Sequence, residues 1–346
     1  MNNIFKQILN SKEASALPGM REGGKLPALI SGLSAVHRAN LAAALEDSFQ
    51  EKLFVVCPDD TAADNFAADL RSMLDEDVEV LGMREFSFYP LEAVSRQAEQ
   101  SRIKTLYAAA GNFNRITVAS IPGLLQRTIP AEILMRAAFT VDNGGTIPPE
   151  DVEDALVRCG YSRADQVEGP GQFSRRGGIL DFFSPASDRP VRIEFWGDEV
   201  DSMAYFDIQT QRRDEQIESC LILPAAEVLP PLTAGGTETL CREIDKFADR
   251  YSRHRNTESA SDLAKIMHSD AEKMRSGVIL SDSDRYLPMI YPPVTGADYI
   301  PKDAVIFFDQ PNRCAEKAKD YTKRISEEVR ELGRRGLSAA SEESFV

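Results

Sequence analysis

The chain has 346 residues, 42% of them hydrophobic and 27% charged, which is enough apolar material for two or three packed domains and excludes disorder over most of its length. Asp and Glu number 55 against 40 Lys and Arg, a formal net charge of -15; that sign excludes a protein whose main surface wraps duplex DNA by counterion release and leaves room only for a local basic patch. The five cysteines, Cys57, Cys159, Cys220, Cys241 and Cys314, are odd in number and never spaced Cys-x-x-Cys, so neither a disulfide framework nor a zinc ribbon is expected, and a reducing, cytoplasmic setting is.

Residues 1–9 carry Lys6 and too short an apolar run for a secretory signal, and no later run approaches the roughly 18 apolar residues of a membrane helix. No membrane partner is expected. From residue 25 to 121, apolar runs at 26–30, 53–57, 78–81 and 116–120 alternate with helical patterns at 36–45, 61–74 and 98–110. Strands joined by crossover helices predict an α/β domain with a mainly parallel sheet. Residues 140–149 read as loop, with Asp-Asn-Gly-Gly and Ile-Pro-Pro, and mark a domain boundary.

The next segment opens with a helix over 150–159 and then changes period. Residues 191–196 alternate strictly, Gly197-Asp198 supplies a turn, and 200–206 returns antiparallel, giving a small α+β module. Pro230, Pro231, Gly235 and Gly236 mark a second boundary. Beyond it the pattern is helical to about Ser276, strand-like at 277–280 and 304–308, and helical again over 312–332. There Ala315, Ala318, Tyr321, Ile325, Val329 and Leu332 form one stripe. The closing residues 338–346 read as having nothing to add to a core. The expected organisation is residues 1–145, 146–235 and 236–346.

Gly32 follows the first predicted strand and precedes a helix, where an ATPase of this class keeps its phosphate loop. Laid on G-x-x-x-x-G-K-[S/T], however, the second Gly is His37, the Lys is Arg38 and the hydroxyl residue is Ala39. His37 blocks the close approach of backbone to phosphate, and Ala39 has no oxygen for Mg²⁺. Arg38 alone retains the capacity to hold an anion. Asp309 ends an apolar run as the acidic residue of such sites does, yet Gln310 stands where a catalytic Glu follows. No bound cofactor is expected. The three histidines, His37, His254 and His268, show no spacing for a triad or a metal site, and the acid pairs Asp59-Asp60 and Asp198-Glu199 read as solvated loops. No catalytic residue is assigned.

Between Thr146 and Gly235 every basic residue is Arg: Arg158, Arg163, Arg175, Arg176, Arg189, Arg192, Arg212 and Arg213. That bias suits an interface more than a solvated surface. In 191–196 the alternation sends Val191, Ile193 and Phe195 to one face and Arg192, Glu194 and Trp196, the only Trp of the chain, to the other. Trp and Arg are the residue types most enriched at binding hot spots. From the pattern alone two readings stay open: a recognition surface, or a Trp196 covered by its own chain and an Arg192 paired with a neighbouring strand.

The run 171–185 (GQFSRRGGILDFFSP), followed by 190–202 (PVRIEFWGDEVDS) and 206–213 (FDIQTQRR), resembles the N-terminal, UvrB-like module of bacterial transcription-repair coupling factors, the Mfd family. Residues 88–91 (FYPL) and 101–107 (SRIKTLY) add to the likeness, which is weak after Gly235. The resemblance implies a degenerate helicase-like (RecA-like) domain 1a at 1–145, an inserted domain 2 at 146–235, and a domain 1b at 236–346 that returns to domain 1a. It implies recruitment of UvrA by domain 2, and the motif positions carry this onto Arg176, Arg192 and Trp196, the last standing where many members have Phe. ATP, Mg²⁺, RNA polymerase and most DNA contacts belong in that family to domains absent here. The implied role is a non-catalytic adaptor for nucleotide excision repair. Its rivals are a UvrB-like nucleotide-dependent helicase and a clamp whose Arg and Trp face is masked by other domains of a longer protein. Alanine at any of the three motif residues is expected to leave the fold intact.

Overall fold

The computed structural model describes residues 14–49, 52–74, 78–88, 96–255, 257–335 and 345. The chain divides into two compact units, one of residues 1–83, 108–126 and 296–322 and the other of 84–107, 127–295 and 323–346. The readings of residues 1–9, of Tyr89 to Leu91 and of most of 338–346 lie outside the described residues.

The first unit contains helix α1 (Ala35–Phe49), strand β1 (Leu53–Cys57), α2 (Asp60–Met73), β2 (Glu79–Leu81) and β3 (Ile116–Ser120), while helix α3 (Gln97–Ala110), which precedes β3 in the chain, lies mostly in the second unit. The Asp59 carboxylate accepts from the Ala62 amide at 3.0 Å and caps α2, so this half of the acid pair is a helix-starting device. β1 and β3 pair in parallel, Leu53 opposite Ile116, and β2 pairs with β3. Both faces of β1 and β3 are buried, which is why their sequences are uninterrupted apolar runs. Ala39, Ala42 and Ala43 of α1 share a core with Val55, Phe66, Leu70 and Val118.

The predicted strand at 26–30 is absent. Those residues form no ladder, and Leu29 is 84% exposed. Pro27 has no N–H to give to a neighbouring strand, so an apolar composition alone does not make this run pair.

The second unit contains β4 (Phe139–Asp142), α4 (Pro149–Arg158), β5 (Ser162–Arg163), β6 (Gln172–Arg176), β7 (Ile179–Phe182), β8 (Val191–Trp196), β9 (Glu199–Phe206), β10 (Arg213–Gln216) and β11 (Ser219–Ile222). The sheet order is β10-β9-β8-β7-β6-β5, and β4 and β11 make a separate antiparallel ribbon. Strand β4 falls within the stretch read as loop. Its partner lies some eighty residues downstream, out of reach of a local pattern, and the Asn-Gly-Gly that suggested a loop is the turn that follows it. One sheet face packs Phe173, Leu180, Phe182, Ile193 and Met203 against Val152 and Leu156 of α4.

A helical hairpin follows, α5 (Gly236–Arg255) and α6 (Glu258–Arg275), the second helix capped by Thr257 on the Ala260 amide at 3.3 Å. Residues 277–280, read as strand-like, form none. Strand β12 (Val305–Phe308) then joins the first unit's sheet beside β1, Leu53 opposite Val305. The four strands β12-β1-β3-β2 form the expected parallel α/β sheet. In the last helix, α7 (Pro311–Arg334), Tyr321, Ile325, Val329 and Leu332 are buried as the stripe predicts, but Ala315 is exposed and Cys314 is buried in its place. Of the closing residues, Phe345 does reach a core: it is fully buried against the rings of Phe86 and Phe88, with centroids at 5.3 and 5.0 Å.

All five cysteines are buried and unpaired. Burial pushes the thiols of Cys159 and Cys314 up to about 11, so neither is a thiolate at neutral pH. No described helix is long and apolar enough to cross a membrane.

Candidate functional site: one edge of the six-stranded sheet

Two tight hairpins shape the site. β6 and β7 are joined by Gly177-Gly178, and β8 and β9 by Gly197-Asp198, with φ of 60° at Gly177 and 61° at Gly197. Left-handed backbone at these corners suits glycine. Gly178 is required for a second reason: a Cβ there would lie 2.8 Å from the Phe195 carbonyl oxygen, beside the hydrogen bond that the Phe195 amide donates to Gly178 at 2.7 Å. Gly178→Ala is therefore expected to pry β7 from β8 and cost about 1–3 kcal/mol, read as a lowered unfolding midpoint.

Register sets which side chains share the outward face. Arg176 lies opposite Ile179, Ile179 opposite Glu194, and Glu194 opposite Ser202. Trp196 stands two residues beyond Glu194, at the hairpin end. A register shift between Glu194 and Phe195 accommodates one extra residue on β9. Trp196 is 82% exposed and Ile179 37%, whereas Phe195 packs on the core. Arg176 is exposed, donating only to the Asp165 carbonyl at 3.0 Å. The alternation reading of Trp196 as an outward aromatic thus matches the structure, and its own chain does not cover it.

Arg192 lies on the same face and is not free. Its Nε and Nη2 donate to the two carboxylate oxygens of Asp181 at 2.6 and 2.8 Å, its Nη1 donates to the Gln211 carbonyl at 3.1 Å, and its guanidinium sits 4.8 Å over the Phe206 ring. The Arg192 side chain is 15% exposed and that of Asp181 4%. The hydrogen bonds it donates to Asp181 push the guanidinium above its already high ordinary value, against the opposing effect of burial. Gln211 is delivered by the turn after β9. Asp207 accepts from the Thr210 amide at 2.7 Å and its hydroxyl at 2.8 Å, and the Gln211 amide donates to the Asp207 carbonyl at 2.8 Å. The motif 206–213 therefore serves to clamp Arg192. Reasoning from the sequence named Arg176, Arg192 and Trp196, which share this face, but missed Asp181, Gln211 and Ile179. The signal for Asp181 was the register of β7 on β8, which a single strand cannot reveal.

The arginine bias has largely an internal explanation. Arg163, Arg175, Arg189, Arg192 and Arg213 each pair with carboxylates. Arg158, Arg176 and Arg212 have no carboxylate partner among the described residues.

At the degenerate phosphate loop the capacity left to Arg38 is used internally. Its Nε donates to the buried carboxylate of Asp309 and its Nη1 to the Leu33 carbonyl at 3.1 Å. Gln310 adds a hydrogen bond to the other Asp309 oxygen at 3.2 Å. The position that a phosphate would take beside Arg38 is held by a carboxylate. His37 bonds only Ser34, at 3.1 Å. The adjoining cavity of about 790 Å³ is lined mainly by apolar residues, including Leu26, Leu29, Ile306 and Phe308. Among the described residues no group of three or more His, Cys, Asp or Glu is placed to hold a metal ion.

Comparison with known proteins locates a likeness on the same sheet. Residues 139–227 match the family described as the UvrB interaction domain. The chain is 28% identical over 340 residues to a transcription-repair-coupling factor of Bacillus subtilis (strain 168), an alignment covering 96% of this chain and 28% of that protein. It is 28% identical over 307 residues to that of Staphylococcus haemolyticus (strain JCSC1435), covering 88% and 26%, and 33% identical over 206 residues to that of Myxococcus xanthus, covering 57% and 17%. These matches bear out the resemblance to the UvrB-like module of transcription-repair coupling factors. The chain spans about a quarter or less of the length of these curated relatives.

Proposed function

We propose that this chain is a non-catalytic docking module of transcription-coupled nucleotide excision repair, and that residues 146–235 present to UvrA the outward face of the six-stranded sheet at the end where its two hairpins turn, the docking edge. The observation that carries the reading is Trp196, the only Trp of the chain, held 82% exposed beside Ile179 and near Arg176. An exposed indole at a tight hairpin, next to an aliphatic side chain and an arginine without a carboxylate partner among the described residues, is the composition of a binding hot spot. Trp196, Ile179 and Arg176 contact the partner. Arg192 acts from beneath, tying β8 to β7 and to the 207–212 turn so that the edge stays in shape. RNA polymerase, DNA, ATP and Mg²⁺ are assigned to other parts of a longer protein.

Titration of the purified chain with UvrA tests this directly. Saturable binding that is lost on Trp196→Ala supports it, and the absence of binding by the parent chain overturns it.

The rival reading, a nucleotide-dependent helicase, is disfavoured by the Arg38–Asp309 pair. Calorimetry with MgATP is expected to show no saturable heat below millimolar nucleotide, because binding phosphate at Arg38 would leave the buried Asp309 carboxylate unpaired. A micromolar site weakened by Arg38→Ala would favour the helicase instead.

A further inference from the structure

A second surface in the same unit carries a binding site of different chemistry. After α6 the amides of Gly277 and Val278 close the helix end, donating to Met274 and Lys273 carbonyls at 3.0 and 2.9 Å. Beyond that point Ile279 and Leu280 make no backbone hydrogen bond among the described residues. The sequence of this run is that of a strand, yet it joins no strand ladder among the described residues. Val278 is 50% exposed and Ile279 44%. Exposed β-branched side chains on backbone that joins no ladder among the described residues offer a place for another strand to pair.

The run also borders a cavity of about 110 Å³, whose wall includes Val157, Leu229, Met274 and Leu280. That is more room than a lone water needs, and its wall is mainly apolar. Arg96 and Arg158 line the same cavity. Arg96 is near enough to Glu99 to oppose the upward effect of burial on that carboxyl, but neither guanidinium makes an ion pair among the described residues. In a chain carrying 55 acids against 40 Lys and Arg, two arginines that make no ion pair among the described residues, at the border of a mainly apolar cavity, point to an acidic visitor.

We propose that residues 277–280 and this cavity dock an extended segment of a partner protein, one that places an aliphatic side chain in the cavity and a carboxylate against Arg96 and Arg158. The segment adds as a strand along 279–280, so its backbone supplies affinity while the cavity and the arginines select its side chains.

Panning a random peptide display library on the full chain tests the proposal. The expected result is enrichment of sequences that alternate apolar residues with Asp or Glu. The enriched peptide, made synthetically, should bind about tenfold or more weakly to Ile279→Lys and to the double variant Arg96→Glu, Arg158→Glu. Val278→Ser replaces Ile279→Lys in the comparison should the lysine lower the melting temperature. Failure to enrich any family, enrichment of basic peptides, or equal binding by parent and variants would overturn the proposal. So would a dimer of the chain that Ile279→Lys dissolves, since the occupant would then be a second copy.

Discussion

Alanine at Trp196 is expected to lower affinity for UvrA about thirtyfold, the equivalent of about 2 kcal/mol, while the melting temperature stays within about 2 °C of the parent. The indole is 82% exposed, so its removal opens no cavity and strands no hydrogen bond. Arg192→Ala on the same face is expected to behave differently. Asp181 has only 4% of its side chain exposed and relies on Arg192 for both oxygens. Leaving that carboxylate buried and unpaired costs about 3–5 kcal/mol, enough to lower the melting temperature by about 5–10 °C. This departs from the expectation, drawn from alternation, that alanine at any outward residue spares the fold. The double variant Asp181→Asn, Arg192→Gln removes both charges together and should recover most of the loss, because neither group is then a buried lone charge. If the double variant melts like the parent and binds UvrA normally, Arg192 serves only to hold the face; if it melts normally and fails to bind, Arg192 also touches UvrA.

An effect on stability as large is expected away from the docking edge, at Glu227. Its carboxylate is fully buried and meets Arg102 Nε at 2.9 Å, Arg84 Nε at 3.2 Å and the Thr128 hydroxyl. Arg84 in turn holds Asp284 through two hydrogen bonds at 2.8 and 2.6 Å. Glu227→Ala withdraws the shared counter-charge of two buried guanidinium groups and should cost about 3–5 kcal/mol. Glu227→Gln keeps an acceptor oxygen and should cost less. Thermal unfolding of the two variants checks this, and equal melting temperatures for Glu227→Ala and the parent would show that the arginines find other partners.

Several features were legible in the sequence because they are local. The runs 53–57 and 116–120 are uniformly apolar, as strands buried on both faces must be, and the Gly197-Asp198 turn with strict alternation on its N-terminal side gave β8 and its antiparallel return. Trp196 was legible as an outward aromatic for the same reason. Features that depend on a distant partner were not. Residues 26–30 and 277–280 have strand composition and no ladder, while β4 has a ladder whose other strand is β11. The Arg192–Asp181 pair requires the register of β8 on β7, and Ile179 joins the docking edge only through that register. Of the two readings the arginine bias leaves open, pairing within the chain accounts for Arg163, Arg175, Arg189, Arg192 and Arg213, each through a partner that composition does not reveal. At the degenerate loop the sequence showed what was missing from Gly32 to Ala39, but not that Asp309 fills the space beside Arg38.

Because Trp196 is the only Trp of the chain, growth on 5-fluorotryptophan places a single ¹⁹F reporter on the docking edge. The account predicts one resonance with the environment of an exposed indole, which shifts or broadens as unlabelled UvrA is added and stops changing at saturation. A resonance that stays fixed while UvrA binds the chain at the same concentrations would contradict the account and move the docking surface elsewhere.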